Sequence, residues 1–200
     1  DAVVIGAGIN GAATAYNLVR CGLPRVMLLD RHLIASGGTG RSAAIIRQHY
    51  SNEELVRMVK RSVEIFADFN GVVGGDPVFV NSGWSFLVPE DGAAGLARNL
   101  ELARRVGVDV RRISKEELRE LEPRIDLSDV SHIAYEPGSG YADPIAATCA
   151  YVRRFVELGG QLLPMTAARG LVMGPSGVKA VKIDAGQIAT NVVVNAAGPW

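Results

Sequence analysis

The sequence predicts an α/β fold in which a parallel sheet with helices is interrupted by a segment that pairs antiparallel. Three observations lead there. The chain opens with an apolar run, a glycine turn, a helical stretch and a second apolar run. Its middle third breaks that alternation with two apolar segments only a short turn apart. A late helical stretch is then followed by apolar runs that would rejoin the first sheet. Strand and helix signals in alternation imply parallel pairing, and strands joined by tight turns imply antiparallel pairing.

Ala2-Val3-Val4-Ile5 reads as a buried parallel strand because it is apolar without alternation. Gly6-Ala7-Gly8-Ile9-Asn10-Gly11 follows as G-x-G-x-x-G, and Ala12 to Val19 continue in Ala-rich helical composition. Arg25 to Leu29 is a second strand, closed by Asp30 and Arg31. In this setting each glycine has a task. Gly6 allows the turn, Gly8 lets a diphosphate approach the backbone, and Gly11 lets the helix lie close on the strand. The helix N-terminus, with Ile9 and Asn10, offers unpaired N–H groups to phosphate. Asp30 stands where a carboxylate accepts hydrogen bonds from ribose hydroxyls.

The glycine- and hydroxyl-rich stretch from Ser36 reads as a loop, with Ser42-Ala43-Ala44 opening a short helix. Glu53 to Phe69 has helical apolar spacing, a capping box from Ser51 and Glu54, and a stop at Gly71, Gly74 and Gly75. Val78 to Val80 and Trp84 to Val88 read as a hairpin about Asn81-Ser82-Gly83. Ala93 to Val106 is a helix and Val108 to Arg111 a short strand. Ser114 and Glu117 box the start of a helix that Pro123 stops. Ile133 to Tyr135 is a strand, Ala146 to Leu158 a helix, and Gln161 to Leu163 a strand of the parallel sheet. Ala167 to Met173 and Val178 to Ile183 form a meander about Gly174 to Gly177, and Val192 to Val194 return to the nucleotide domain. The division is discontinuous: 1–75 plus 141–200 form the nucleotide domain, and 76–140 are part of a substrate domain.

Composition narrows the function. The 200 residues carry 21 basic and 21 acidic side chains, so no net field draws the chain to nucleic acid. No apolar run is long enough to span a membrane. Cys21 and Cys149, far apart, read as reduced thiols of a cytoplasmic protein. His32, His49 and His132 lack metal spacing, and no metal is expected. Trp84 reads as core. The last residues form a strand entering a glycine turn where a helix should begin, so the chain reads as the first part of a longer protein.

Three motifs in order carry a resemblance: Val3 to Gly11, Thr39 to Tyr50, and Val193 to Trp200. Together they resemble the N-terminal half of the FAD-dependent amine and amino-acid oxidoreductases, the family of sarcosine oxidase, glycine oxidase, D-amino-acid oxidase and glycerol-3-phosphate dehydrogenase. Gly140-Tyr141-Ala142-Asp143-Pro144 fits as well, and the nearest likeness is to sarcosine oxidase and the β chain of its multi-subunit form. The resemblance implies a truncated FAD-binding Rossmann-like domain of the glutathione reductase type, with an inserted antiparallel-sheet substrate domain. It implies FAD, held noncovalently because Ala142 stands where some relatives carry a tethering histidine.

The resemblance also assigns residues. Gly40, Arg41, Ser42 and Ala43 would lie along the pyrophosphate and ribityl chain. The backbone near Ala168 would meet the adenine, and Ala196 and Gly198 would close the adenosine end. Arg47 matches the arginine that binds the substrate carboxylate, a task suited to a planar bidentate donor. Tyr50 either lines the same pocket or is a half-buried core residue. The implied reaction is oxidation of the C–N bond of a small amine or N-methyl amino acid by hydride transfer to flavin. Catalytic residues are not assigned within these 200, and partner subunits or a C-terminal half would complete the site. Two alternatives stay open: a flavin-binding subunit or fragment without turnover, and, on the first motif alone, an NAD-dependent dehydrogenase.

Overall fold

The structure, a computed structural model, describes residues 1–76 and 78–199; Pro77 and Trp200, the end of the third motif, lie outside the described residues. In chain order the elements begin with β1 (Ala2–Ile5), α1 (Ile9–Arg20), β2 (Val26–Leu29), β3 (Ile45–Ile46), α2 (Glu53–Ala67) and the short α3 (Phe69–Val72). The middle holds β4 (Phe79–Val80), β5 (Trp84–Val88), α4 (Ala93–Val106), β6 (Arg111–Ile113), α5 (Lys115–Leu121), β7 (His132–Glu136) and β8 (Gly140–Ala142). The chain ends with α6 (Pro144–Glu157), β9 (Gln161–Leu163), β10 (Gly170–Gly174), β11 (Gly177–Ile183), β12 (Gly186–Ala189) and β13 (Val192–Asn195). Two compact units result: Asp1–Ala44 with Asn70–Val78 and Asp143–Trp200, and Ile45–Phe69 with Phe79–Ala142.

The first unit is built on a parallel sheet in the order β13-β1-β2-β9. Ala2 lies opposite both Val192 and Val26, and Met27 opposite Gln161, so all four strands end on one edge. Val3 and Val4 point to opposite faces and both are buried, which means both faces are covered. On one side Val3 and Leu29 pack with Val181 of the antiparallel sheet β10-β11-β12. α1 and α6 bury Ala12, Ala15, Tyr16, Ala147, Tyr151 and Phe155, with Tyr16 and Tyr151 meeting edge to face at 5.5 Å. Asp143 caps α6 by accepting from the amides of Ile145 and Ala146, both at 2.9 Å, and Pro144 fits the first helical position.

The second unit holds two three-stranded antiparallel sheets, β3-β8-β4 and β5-β7-β6. Val56 of α2, Leu96, Leu100, Ala103 and Val106 of α4, and Ala134 of β7 form its main core. Ile113, Leu118, Leu127 and Ile133 form a smaller one under α5. The box of Ser114 and Glu117 is present at the start of α5 as the sequence predicts.

Four local expectations change. The hairpin about Asn81-Ser82-Gly83 does not form: β4 pairs with β8, and β5 pairs with β7. Those residues carry the chain from one sheet to the other, and the parallel passage at 137–139 is tied to it by the Gly83 amide donating to the Ser139 carbonyl at 2.9 Å. Gly83 is required there, since at φ +72 a Cβ would strike the Tyr135 ring. α2 is capped by Asn52, whose side chain accepts from the Leu55 amide at 2.9 Å. The cap lies one residue later than Ser51, so Leu55 falls at the third position and no reciprocal box is possible. Ser42-Ala43-Ala44 is not helical: Ser42 is extended and Ala44 takes a left-handed φ of +45, following a single 3₁₀ turn at Thr39–Arg41. β6 begins at Arg111, because Val108 and Val110 are buried in the core around α4 before pairing starts. The unit boundary also differs from 1–75, since the apolar face of α2 packs on α4 and groups 45–69 with the second unit. A third strand, β12, extends the meander.

Candidate functional site

In the first unit the residues of the glycine turn, Asp30, Ala168, Ala196 and Gly198 gather at the carboxyl edge of the parallel sheet. Open α/β sheets hold their ligands at that edge. Gly6 leaves β1 at φ +105, and any Cβ there would strike the Ala196 carbonyl. The Ala196 amide in turn donates to the Ile5 carbonyl at 2.8 Å, closing β13 against the turn. A Cβ on Gly11 would collide with the Gly6 carbonyl, so α1 sits as close as the backbone allows. Ala197 donates to Asn195 Oδ1 at 3.1 Å, and Gly198 takes a left-handed φ of +79.

α1 is capped by Gly8, which offers no side chain, and its first turn carries no acid. Beyond the Ile9 amide, which Thr39 takes, the positive end of the helix is thus left for an outside anion. Gly8 keeps the approach narrow: a Cβ there would lie 2.9 Å from Thr39 Oγ1. The Ile9 amide donates to that hydroxyl at 3.1 Å, while Asn10 is exposed beside it. Thr39 was absent from the contact residues read in the sequence. Its signal was only a hydroxyl within a glycine loop, and nothing local said that the loop returns to α1. The return is fixed by the Ala35 amide on the Ala7 carbonyl at 3.0 Å and the Gly40 amide on the Ala35 carbonyl at 2.8 Å.

Asp30 does structural work besides any ribose contact. Its Oδ2 accepts from the Ala7 amide at 2.7 Å and its Oδ1 from the His32 amide at 2.8 Å. The carboxylate therefore braces the glycine turn from the neighbouring strand and keeps lone pairs for a further donor. The Thr166 amide donates to the Asp30 carbonyl at 2.7 Å, which brings the 166–168 backbone alongside, with Ala168 half-buried against Val3 and Leu29. Arg31, Arg41, Ser42 and Ala43 are exposed, and Ser42 Oγ accepts from the Ala44 amide at 2.9 Å.

The second unit gathers a different chemistry. Arg47 and Tyr50 follow β3, and the Arg47 guanidinium lies over two rings, 4.6 Å from the centre of Tyr50 and 5.1 Å from that of Trp84. One arm, Nη1, donates to the His49 carbonyl at 2.7 Å. Among the described residues Arg47 forms no ion pair with a carboxylate, although most other arginines drawn into contacts here do. Trp84, read as core, is half-buried and shields this cation. His49 is buried, stacked on Phe86 at 4.2 Å, with Nε2 3.2 Å from Asn99 Nδ2. Burial, and then the Arg47 charge, hold its pKa below the usual histidine value, which favours the neutral ring. Glu136 is 1% exposed; its Oε2 accepts from the Gln48 amide at 2.8 Å and the Ser139 hydroxyl at 2.7 Å.

Cys21 and Cys149 are free thiols. Among the described residues no three His, Cys, Asp or Glu side chains gather to hold a metal, and no helix is long and apolar enough to cross a membrane.

Compared with known families, residues 1–200 match the one described as FAD dependent oxidoreductase. The mitochondrial sarcosine dehydrogenase of Mus musculus is 27% identical over 207 residues, covering 100% of this chain and 22% of that protein. Sarcosine oxidase subunit beta of an Arthrobacter species is 28% identical, covering 99% of this chain and 51% of the relative. Among solved structures, L-proline dehydrogenase from P. horikoshii superposes with a TM-score of 0.93 at 35% identity, covering 100% of this chain and 53% of that one. The chain thus spans about half the length, or less, of the relatives it matches. FAD is the cofactor of the matched family, and the uncapped α1 terminus with its Cβ-free approach at Gly8 fits a diphosphate of that kind.

Proposed function

Because this chain belongs to the family of FAD-dependent oxidoreductases, we propose that it is the cofactor-holding and carboxylate-binding part of an enzyme oxidising the C–N bond of a small amine or N-methyl amino acid. Bound FAD supplies a two-electron acceptor for the hydride leaving the carbon beside nitrogen. The residues of this chain bind and orient. Gly8 and the first-turn amides of Asn10 and Gly11 receive the diphosphate, with Ile9, whose amide Thr39 takes, beside them. Asp30, Arg31, Ala168, Ala196 and Gly198 surround the adenosine end, and Gly40 to Ala43 run along the remainder. Ala142 presents no nucleophile for a covalent tether at its position. Arg47 takes the substrate carboxylate.

The observation that carries this reading is Arg47 itself. A guanidinium over two aromatic rings, with no ion-paired carboxylate among the described residues, is a cation prepared for an incoming anion. Tyr50 and Trp84 exclude water from one side of it, which strengthens any charge-assisted hydrogen bond it makes. The kinship with a sarcosine oxidase subunit supports a setting of partner subunits.

The test is the visible spectrum of the purified full-length protein under anaerobic conditions. Sarcosine, glycine or L-proline is expected to bleach an oxidised flavin absorbance. A yellow protein indifferent to all three would instead be a flavin-binding subunit without turnover, and a colourless one would refute the cofactor assignment.

A further inference from the structure

The second unit contains a buried acid that the reading above does not use. Glu136 ends β7 opposite Trp84 of β5, and it is 1% exposed. An isolated carboxyl is costly to bury unless its lone pairs are engaged. Among the described residues only one oxygen is engaged: Oε2 accepts from the Gln48 amide at 2.8 Å and from Ser139 Oγ at 2.7 Å. Oε1 has no hydrogen-bond partner among the described residues. The two donors come from distant parts of the sequence. Gln48 lies between Arg47 and His49, and Ser139 sits in the passage from β7 to β8. β3 is only two residues long, so little ladder pairing fixes the segment that follows it.

We propose that Glu136 is a positioning residue for Arg47: its carboxyl grips the Gln48 amide and so holds the 47–50 segment in the register that lays the guanidinium over Tyr50 and Trp84. The inference rests on Arg47 being the carboxylate clamp. The reach of the side chain is what matters, since one oxygen must meet an amide and a hydroxyl together. Burial raises the pKa of Glu136, while the Gln48 amide, the Ser139 hydroxyl and the Arg47 charge oppose that rise. Among the described residues Glu136 and Arg47 form no ion pair, and the Gln48 amide and Ser139 hydroxyl are what hold the acid.

Two near-isosteric variants of the full-length holoprotein separate reach from charge. Glu136→Gln keeps the length and an accepting oxygen but loses the charge. Glu136→Asp keeps the charge but is one methylene short. Deuterium exchange at the Gln48 amide gives a readout independent of turnover. KM and kcat for the amino acid that bleaches the flavin fastest among sarcosine, glycine and L-proline give the second. Glu136→Asp is expected to speed Gln48 exchange at least tenfold and raise KM by a similar factor, with kcat and flavin content within about threefold. Glu136→Gln is expected to stay within about threefold of wild type in both. The reverse order, no effect in either variant, or a parallel loss of kcat and flavin would overturn the proposal. Arg47→Ala in the same assay distinguishes the failures. If it leaves KM unchanged, the clamp itself is wrong; if it raises KM while Glu136→Asp does not, only the role of Glu136 is.

Discussion

Gly11 shows how much a single missing carbon can decide. Its Cβ position is occupied by the Gly6 carbonyl, which is backbone and has no rotamer through which to yield. Gly11→Ala must push α1 away from the turn, and overpacking of this kind costs about 1–3 kcal/mol. The expected outcome is a lower melting temperature together with a flavin-to-protein ratio well below that of wild type, read from absorbance after desalting. A variant with full flavin content would show that the close approach is not needed for binding. This position was legible in the sequence because the requirement is local, a turn and a helix start within six residues. Thr39, Trp84 and Glu136 were not. Their partners are Ile9, Arg47 and Gln48, and no spacing in the sequence announces that those pairs meet. Asp30 was half legible: its place at the end of β2 could be read, but not its grip on the Ala7 amide.

At the scale of elements, helices were read well where caps and periodicity agree. α4 begins and ends where its apolar spacing does, and α5 begins with the predicted box. Asp143 at the head of α6 accepts two amides, and Asp143→Ala is expected to cost about 1 kcal/mol, within the range measured for such caps. Chemical denaturation with an unchanged slope would check it; a stability equal to wild type would mean that water replaces the cap without loss. Strand pairing was the harder part. β4 and β5 are adjacent in sequence and carry a turn-like Asn-Ser-Gly between them, which reads as a hairpin. Instead β4 joins β8 and β5 joins β7, because the chain changes sheets at two neighbouring passages, 81–83 and 137–139. Only the tertiary pairing of β7 and β8 makes that choice, and neither strand differs in composition from a hairpin partner.

For the molecule as a whole, the discontinuous plan was visible in outline, since a strand late in the chain had to return beside β1. Its boundary was not, because the amphipathic pattern of α2 says that one face is buried without saying against what; that face meets α4. The central claim is the division of labour proposed above: a diphosphate held by backbone amides of the first unit, and a substrate carboxylate held by Arg47 of the second. The two tasks should separate under mutation of the full-length protein. The most direct measurement compares Arg47→Ala and Arg47→Lys with wild type, recording flavin stoichiometry alongside KM for the best amino-acid substrate. Losing a charge-assisted hydrogen-bond pair is worth about 1.5–3 kcal/mol, or roughly ten- to a hundredfold in KM. The account predicts that rise in KM for Arg47→Ala, partial recovery in Arg47→Lys, and unchanged flavin content in both. An unaltered KM, or flavin lost in step with activity, would contradict it.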